Sequence, residues 1–186
     1  MAKVRTFAFA ALAAMVSATG AMSCKDKSAP AAAEETAQTE DTAYFQDFSQ
    51  PSISGDTLSL REEMAKNKVT VVDFWASWCG PCRREMPGMV AMYSKYKDRG
   101  LGIIGISLDQ DRSAWEAAVA ADGLAWTHVS ELRGWDNTAA RAYGVQGIPY
   151  TMVVDSEGKI MHAGLRGAEL ENAVAALLDG GATGKP

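Results

Sequence analysis

From Tyr44 onward, short β-branched and aromatic runs alternate with longer stretches of helical spacing. "VTVVDFW", Val69 to Trp75, and "LGIIGISL", Leu101 to Leu108, are apolar almost without alternation, the mark of strands buried on both faces. Between them, Pro81 to about Arg99 predicts a helix with Met86, Met89, Val90 and Tyr93 on one side and Gly100 at its stop. Pro87 inside that stretch predicts a kink. Upstream, "FQDFSQPSISGDTLSL" predicts a hairpin turning at Gly55-Asp56, with a short helix after Leu60. Downstream, "RSAWEAAVAADG" predicts a helix ending at Gly123, Trp126 to Val129 a short strand, and Asn137 to Tyr143 another helix. "YTMVVD" and "KIMHAG" predict a second hairpin across Ser156-Glu157-Gly158, and Ala168 to Leu178 a closing helix. Alternating strands and helices followed by a hairpin imply an α/β fold, a mixed central sheet flanked by helices on both faces.

Ahead of this region the pattern changes twice. Lys3 and Arg5 precede the mostly apolar stretch Phe7 to Met22, followed by Ser23 and Cys24. A charged start, an apolar middle and small residues near a cut site make residues 1–23 a signal segment. The run is Ala-rich and shorter than the ~20 residues a spanning helix needs. "AMSC", Ala21 to Cys24, resembles a bacterial lipoprotein signal, which implies cleavage before Cys24 and lipid on its sulfur. Losing Lys3 and Arg5 would take the net charge from −5 to −7. "KDKSAPAAAEETAQTEDT", Lys25 to Thr42, has no aromatic residue and cannot bury enough apolar surface to order itself. Residues 24–43 are therefore expected to be a lipidated cysteine and a flexible tether reaching roughly 25 Å, with the folded domain over 44–182.

The chain of 186 residues is 47% hydrophobic, enough for one domain with its own core. Its acidic balance, with no Lys/Arg cluster interleaved with aromatics, argues against a nucleic-acid partner. Of its three cysteines, Cys79 and Cys82 stand two residues apart in "WASWCGPCRREMP", where an apolar strand gives way to a helix. A bridge between them closes too small a loop to restrict the unfolded chain much, so a structural staple is a weak reading. A closed zinc site needs four ligands, and with Cys24 set aside only His128 and His162 remain, neither at ligand-like spacing. Residue 83 is Arg, so the histidine of a haem-attachment signature is missing. With Cys79 just before the helix and Cys82 in its first turn, both sulfurs share one side, and the helix start favours a Cys79 thiolate. Gly80-Pro81 suits that turn, and Arg83 and Arg84 add positive charge nearby. One exposed thiolate that attacks and one shielded thiol that resolves is what disulfide exchange requires.

"VVDFWASWCGPC", Val71 to Cys82, together with "GIPYTMVVDSEGKI", Gly147 to Ile160, resembles thioredoxin. "CRREMP", Cys82 to Pro87, and the helix near Arg112 to Asp122 resemble its TlpA/ResA-like branch of membrane-tethered, exported thiol–disulfide oxidoreductases. The resemblance covers Tyr44 to Leu178 and implies a thioredoxin fold with an N-terminal hairpin and an inserted helix. It further implies Cys79 as nucleophile, Cys82 as resolving thiol, and a cis Ile148-Pro149 peptide facing them to hold substrate as an added strand. Trp78, Gly80 and Pro81 would form the rest of the substrate rim, with Trp75 in the core. Asp73 falls at the position of thioredoxin's buried carboxylate, where burial would raise its pKa and suit it to move protons for Cys82. Glu85 matches an acid near the pair in the ResA-like branch, with a solvated helix residue as the alternative. Thioredoxin's lysine partner for the buried acid has no match, since the second strand continues Ile106-Ser107-Leu108-Asp109. The expected protein is an exported, membrane-anchored lipoprotein on the periplasmic or cell-envelope face, most simply a reductant. Its partners would be protein disulfides or dithiols, an upstream electron donor, and the membrane through Cys24; a monomer without cofactor or metal is expected. A dithiol oxidase or isomerase, or a redox-inactive binding module, remain the rival readings. CGPC does not set the direction, because potentials in this fold span ~150 mV, roughly 7 kcal/mol for two electrons.

Overall fold

A computed structural model describes residues 43–180. The expected signal segment, Cys24 and nearly all of the tether lie outside them. Two short antiparallel strands, β1 (Ser49–Pro51) and β2 (Thr57–Ser59), form the predicted hairpin. Helix α1 (Leu60–Ala65) follows directly, because the Ser59 hydroxyl accepts from the Glu62 N–H and starts it one residue before the sequence pattern suggests.

The main sheet has five strands, Thr127–Val129 (β5), Leu101–Ser107 (β4), Val69–Trp75 (β3), Tyr150–Asp155 (β6) and Ile160–Ala163 (β7), side by side in that order. Strand β3 (Val69–Trp75) lies between β4 (Leu101–Ser107), parallel to it, and β6 (Tyr150–Asp155), antiparallel. Every residue of β3 and β4 is buried, which is why neither sequence alternates. Strand β5 (Thr127–Val129) adds parallel to β4, and β7 (Ile160–Ala163) antiparallel to β6. Both outer strands have cover from the N-terminal segment. Ser130 donates its N–H to the Pro51 carbonyl beside β5, and Phe45 and Ile160 exchange backbone bonds with Gly158 and Ala43 beside β7. Unpaired edges that invite aggregation are thereby shortened.

Helix α2 (Gly80–Tyr96) runs unbroken through Pro87 and tightens into a last turn over Lys97–Arg99, with Gly100 at φ 108°. Its buried stripe is Cys82, Met86, Met89, Met92 and Tyr96; Val90 and Tyr93, expected on that face, lie half-buried at its flank. Helix α5 (Gly167–Leu178) packs beside α2, and the Lys95–Glu171 ion pair ties them at 2.8 Å. Helices α3 (Arg112–Ala121) and α4 (Thr138–Ala142) complete the cover, burying Trp115 and the Ala139-Ala140 pair. Asn137 caps α4 by accepting from the Ala140 N–H, and its side chain exchanges hydrogen bonds with buried Gln50, pinning the hairpin to this helix. Gly105 in β4 leaves room for His128, whose Nδ1 would sit 2.6 Å from a Cβ there. Among the described residues no helix is long and apolar enough to cross a membrane.

Candidate active site

The cysteines stand where β3 becomes α2. The Leu108 N–H donates to the Trp75 carbonyl at 2.8 Å, so β4 follows β3 to its end. Asp109 then reaches back across the gap. Its carboxylate accepts from the Ser77 N–H at 2.9 Å, the Ser77 hydroxyl at 2.6 Å and the Ser107 hydroxyl at 2.7 Å. The turn that delivers Cys79 is thus moulded around a buried acid. Arg83 supports the same turn by donating to the Ser77 carbonyl while pairing with Asp122 through both sides of its guanidinium. Arg83, expected to add positive charge near the cysteines, thus has its guanidinium paired with Asp122 and Ser77. Arg84 does come near: its Nη1 lies 3.5 Å from where a Gly80 Cβ would be.

Cys79 caps α2 with extended backbone, and its sulfur accepts from the Cys82 N–H at 3.2 Å. Gly80 and Pro81 are the first two helical residues, so Pro81 lies one position further in than the sequence pattern suggests, still where a missing N–H leaves no bond unmade. Cys79 and Cys82 are joined as a disulfide. Cys82 is fully buried and Cys79 is 5% exposed, so what surface the pair presents belongs to Cys79. The Ile148-Pro149 peptide is cis, and the Ile148 carbonyl oxygen lies 3.8 Å from the Cys79 sulfur.

Asp73 lies mid-strand on β3, 3% exposed, opposite Thr151 of β6. Burial first, then the charge of Glu85 from α2, push its carboxyl up to about 7, while the Arg166 guanidinium ahead of α5 opposes them. Arg166 also donates to the Pro149 carbonyl, and the Thr151 hydroxyl donates to the Leu165 carbonyl at 2.5 Å. A cation near the acid therefore exists, but it comes from the far end of the chain rather than from the strand where thioredoxin's lysine would stand. Glu85 is half-buried and borders a groove of about 390 Å³ with Arg84, Gly88, Met89, Gly167 and Glu171.

Trp78 is 56% exposed and contacts a second exposed indole, Trp135 at 47%, with ring centroids 6.5 Å apart. Trp135 sits in a tight turn, Gly134–Asp136, that no hydrophobic period announces. Its bulk beside a Gly was the sole sequence signal. His128, set aside as a metal ligand, is buried between Trp75 and Trp126. Burial drives its pKa down to about 4, the Leu124 backbone opposing weakly, and neither ring nitrogen completes a hydrogen bond.

A five-stranded mixed sheet with a CxxC disulfide at a helix start, near a cis-proline, defines the thioredoxin-like class of thiol–disulfide oxidoreductases. The chain belongs to the AhpC/TSA family, whose model matches residues 42–163. It is 30% identical over 109 residues to the "Thiol-disulfide oxidoreductase ResA" of Halalkalibacterium halodurans, a match covering 59% of each chain. It is 32% identical over 99 residues to the "Thiol:disulfide interchange protein HelX" of Rhodobacter capsulatus, covering 53% of each. Among solved structures, a thiol-disulfide oxidoreductase from Bacteroides fragilis superposes with a TM-score of 0.68 at 31% identity, over 73% of this chain and 99% of that one. The chain thus spans less than two thirds of the curated relatives' length and nearly all of the solved domain.

Proposed function

We propose that this protein is a membrane-anchored, extracytoplasmic thiol–disulfide oxidoreductase that reduces disulfides of exported proteins, held by lipid on Cys24. The observation that carries the activity is the asymmetric pair: Cys79 at the N-terminus of α2, with Cys82 buried behind it. In the reduced protein the Cys82 N–H and the helix start stabilise a Cys79 thiolate. That thiolate attacks one sulfur of a substrate disulfide; a Cys79–substrate bond forms and the other sulfur leaves as thiolate. Cys82 then loses its proton and attacks the Cys79 sulfur, releasing the second substrate thiol and leaving the Cys79–Cys82 disulfide. Two electrons pass to the substrate, and an upstream donor must return two. The Ile148 carbonyl and the Pro149 turn, with Trp78, Gly80 and Pro81, are the surface against which the substrate chain would lie. Asp73, whose carboxyl titrates at about 7 and is therefore partly ionised at neutral pH, and Glu85 are suited, as carboxylates, to take up the Cys82 proton.

Support for the reducing direction comes from these two acids. As carboxylates both would oppose a thiolate at Cys82, so the dithiol would gain less from ionisation and give up electrons more readily. The names of the curated relatives support the exchange chemistry, and the charged start, apolar run and "AMSC" support export and anchoring. The test uses the full chain expressed with its first 24 residues. Insulin reduction in the presence of a thiol donor, together with a reduction potential near the reducing end of the family, is the expected result; inability to reduce insulin would remove the reading. Cys24→Ala should abolish palmitate labelling and release the chain from membranes, and retained labelling would remove the anchor alone.

A further inference from the structure

Two indoles stand half-bare at the start of α2. Trp78 precedes Cys79 in the chain, and Trp135 meets Trp78 from fifty-seven residues away, 6.5 Å between centroids and tilted by 55°. Trp135 and Trp78, with Tyr44, are the large hydrophobics exposed among the described residues. An exposed aromatic pair of this kind is unusual on a surface with no other use for it.

The turn that carries Trp135 is braced on every side. Leu132 holds φ 53°, the one non-glycine residue in the left-handed region among those described, and Gly134 follows at φ 58° with the Gln110 side chain packed against it. The Ser130 hydroxyl donates to the Ser107 carbonyl at 2.9 Å and accepts from the Leu132 N–H at 3.0 Å. The Glu131 carboxylate accepts from the Thr138 N–H and hydroxyl at 2.6 and 2.7 Å. Backbone held in a sparsely populated region persists only where its surroundings fix it, and such places cluster at sites of function. Here the bracing delivers an indole to the rim of the redox pair.

We propose that Trp78 and Trp135 together form a platform that receives an apolar side chain next to the cysteine of the substrate disulfide. This rests on the exchange activity proposed above. The occupant follows from continuity with the reacting centre. A disulfide presented to Cys79 must lay its flanking residues on what borders that residue: the Ile148 carbonyl, 3.8 Å from the sulfur, and the exposed indole of Trp78, the preceding residue, with Trp135 against it. The rings already touch and are far from parallel, so no flat ring can lie between them; an aliphatic or aromatic side chain lies across them instead. Asp136 pairs with Arg141 and Arg83 with Asp122, whereas Arg84 near Gly80 and Arg133 are in no ion pair among the described residues, so the probe peptides carry equal charge and their comparison reads the indoles.

The experiment uses the reduced full chain and three probes: hydroxyethyl disulfide, and the disulfide dimers of two peptides, Ala-Leu-Cys-Leu-Ala and Ala-Ser-Cys-Ser-Ala. Wild type should reduce the Leu peptide at least tenfold faster than the Ser peptide, as befits an aromatic anchor at the centre of a contact. Trp135→Ala should bring the two within threefold while leaving hydroxyethyl disulfide reduction unchanged, and Trp135→Phe should keep most of the preference. A wild type without preference, or a Trp135→Ala chain that keeps it, would overturn the platform. An equal loss on all three probes would also overturn it, since Trp135 would then act on the dithiol rather than on the substrate. Failure of wild type to reduce any of the three would strike the oxidoreductase reading itself.

Discussion

Replacing Asp73 by Asn removes one buried carboxyl and should change how stability depends on pH. The folded chain holds the Asp73 proton up to about 7, whereas the unfolded chain releases it near 3.8. Between those values the folded state binds more protons, so this group's contribution to stability falls as pH rises. His128 acts in the opposite sense. Folded, it stays neutral down to about 4; unfolded, it takes a proton near 6.5, so its contribution falls as pH drops through the same window. Each pH unit of displacement is worth about 1.4 kcal/mol, so from pH 7.5 to 4.5 each group changes stability by about 3 kcal/mol, with opposite signs. In wild type the two nearly cancel. Asp73→Asn should expose the histidine, losing about 3 kcal/mol on acidification relative to wild type. His128→Phe should expose the acid, gaining about 3 kcal/mol over the same interval. The charged groups facing Asp73, Glu85 from α2 and Arg166 ahead of α5, remain in both variants, and packing costs at either site do not vary with pH. Urea unfolding of the oxidised full chain, followed by tryptophan fluorescence at four pH values, gives the slopes. If the wild-type and Asp73→Asn curves run parallel between pH 7.5 and 4.5, Asp73 does not carry a displaced proton.

Two further perturbations separate the roles at the site. Cys82→Ser should accumulate mixed disulfides through Cys79, visible as adducts on non-reducing gels, whereas Cys79→Ser should accumulate few; equal trapping would reverse or abolish the assignment. Asp109→Asn leaves one oxygen to serve three donors, with an amide turned toward Ser77 or Ser107, and should cost about 2–3 kcal/mol in urea unfolding. Unchanged stability would mean that the Ser77 turn holds its shape without that acid.

The strands were legible because burial on two faces leaves a continuous apolar run, and Val69–Trp75 and Leu101–Ser107 are such runs. The cysteine pair was legible because Gly80-Pro81 marks a helix start. An acid amid Val71, Val72 and Phe74 was legible too, since a charged residue in a doubly buried strand has no cheap explanation. What stayed hidden is what arrives from a distance without a period. The buried face of α2 was placed a little off, because methionines at 86, 89 and 92 carry its stripe down to Tyr96 while Val90 and Tyr93 slip to the flank. Asp109 registered only as an absent lysine; its use lies thirty-two residues away at Ser77, which only the pairing of β3 with β4 reveals. Arg166 is one cation at a helix start, and its closeness to Asp73 and Pro149 depends on β6 and β7 folding back.

These hidden residues bear on the chemistry more than on the fold. Asp73 was expected to titrate high from burial alone, yet its value is a balance in which Glu85 pushes up and Arg166 pulls down. The same guanidinium grips the Pro149 carbonyl, the backbone against which a substrate strand would lie. A substrate that drew on that carbonyl would compete with Arg166 for it and leave the cation freer to face Asp73. With Arg166 closer, Asp73 would release its own proton to solvent and stand as the carboxylate able to accept the Cys82 proton when Cys82 attacks. Substrate docking and proton uptake would then be linked through one arginine, in a chain whose second strand has no lysine to do the work.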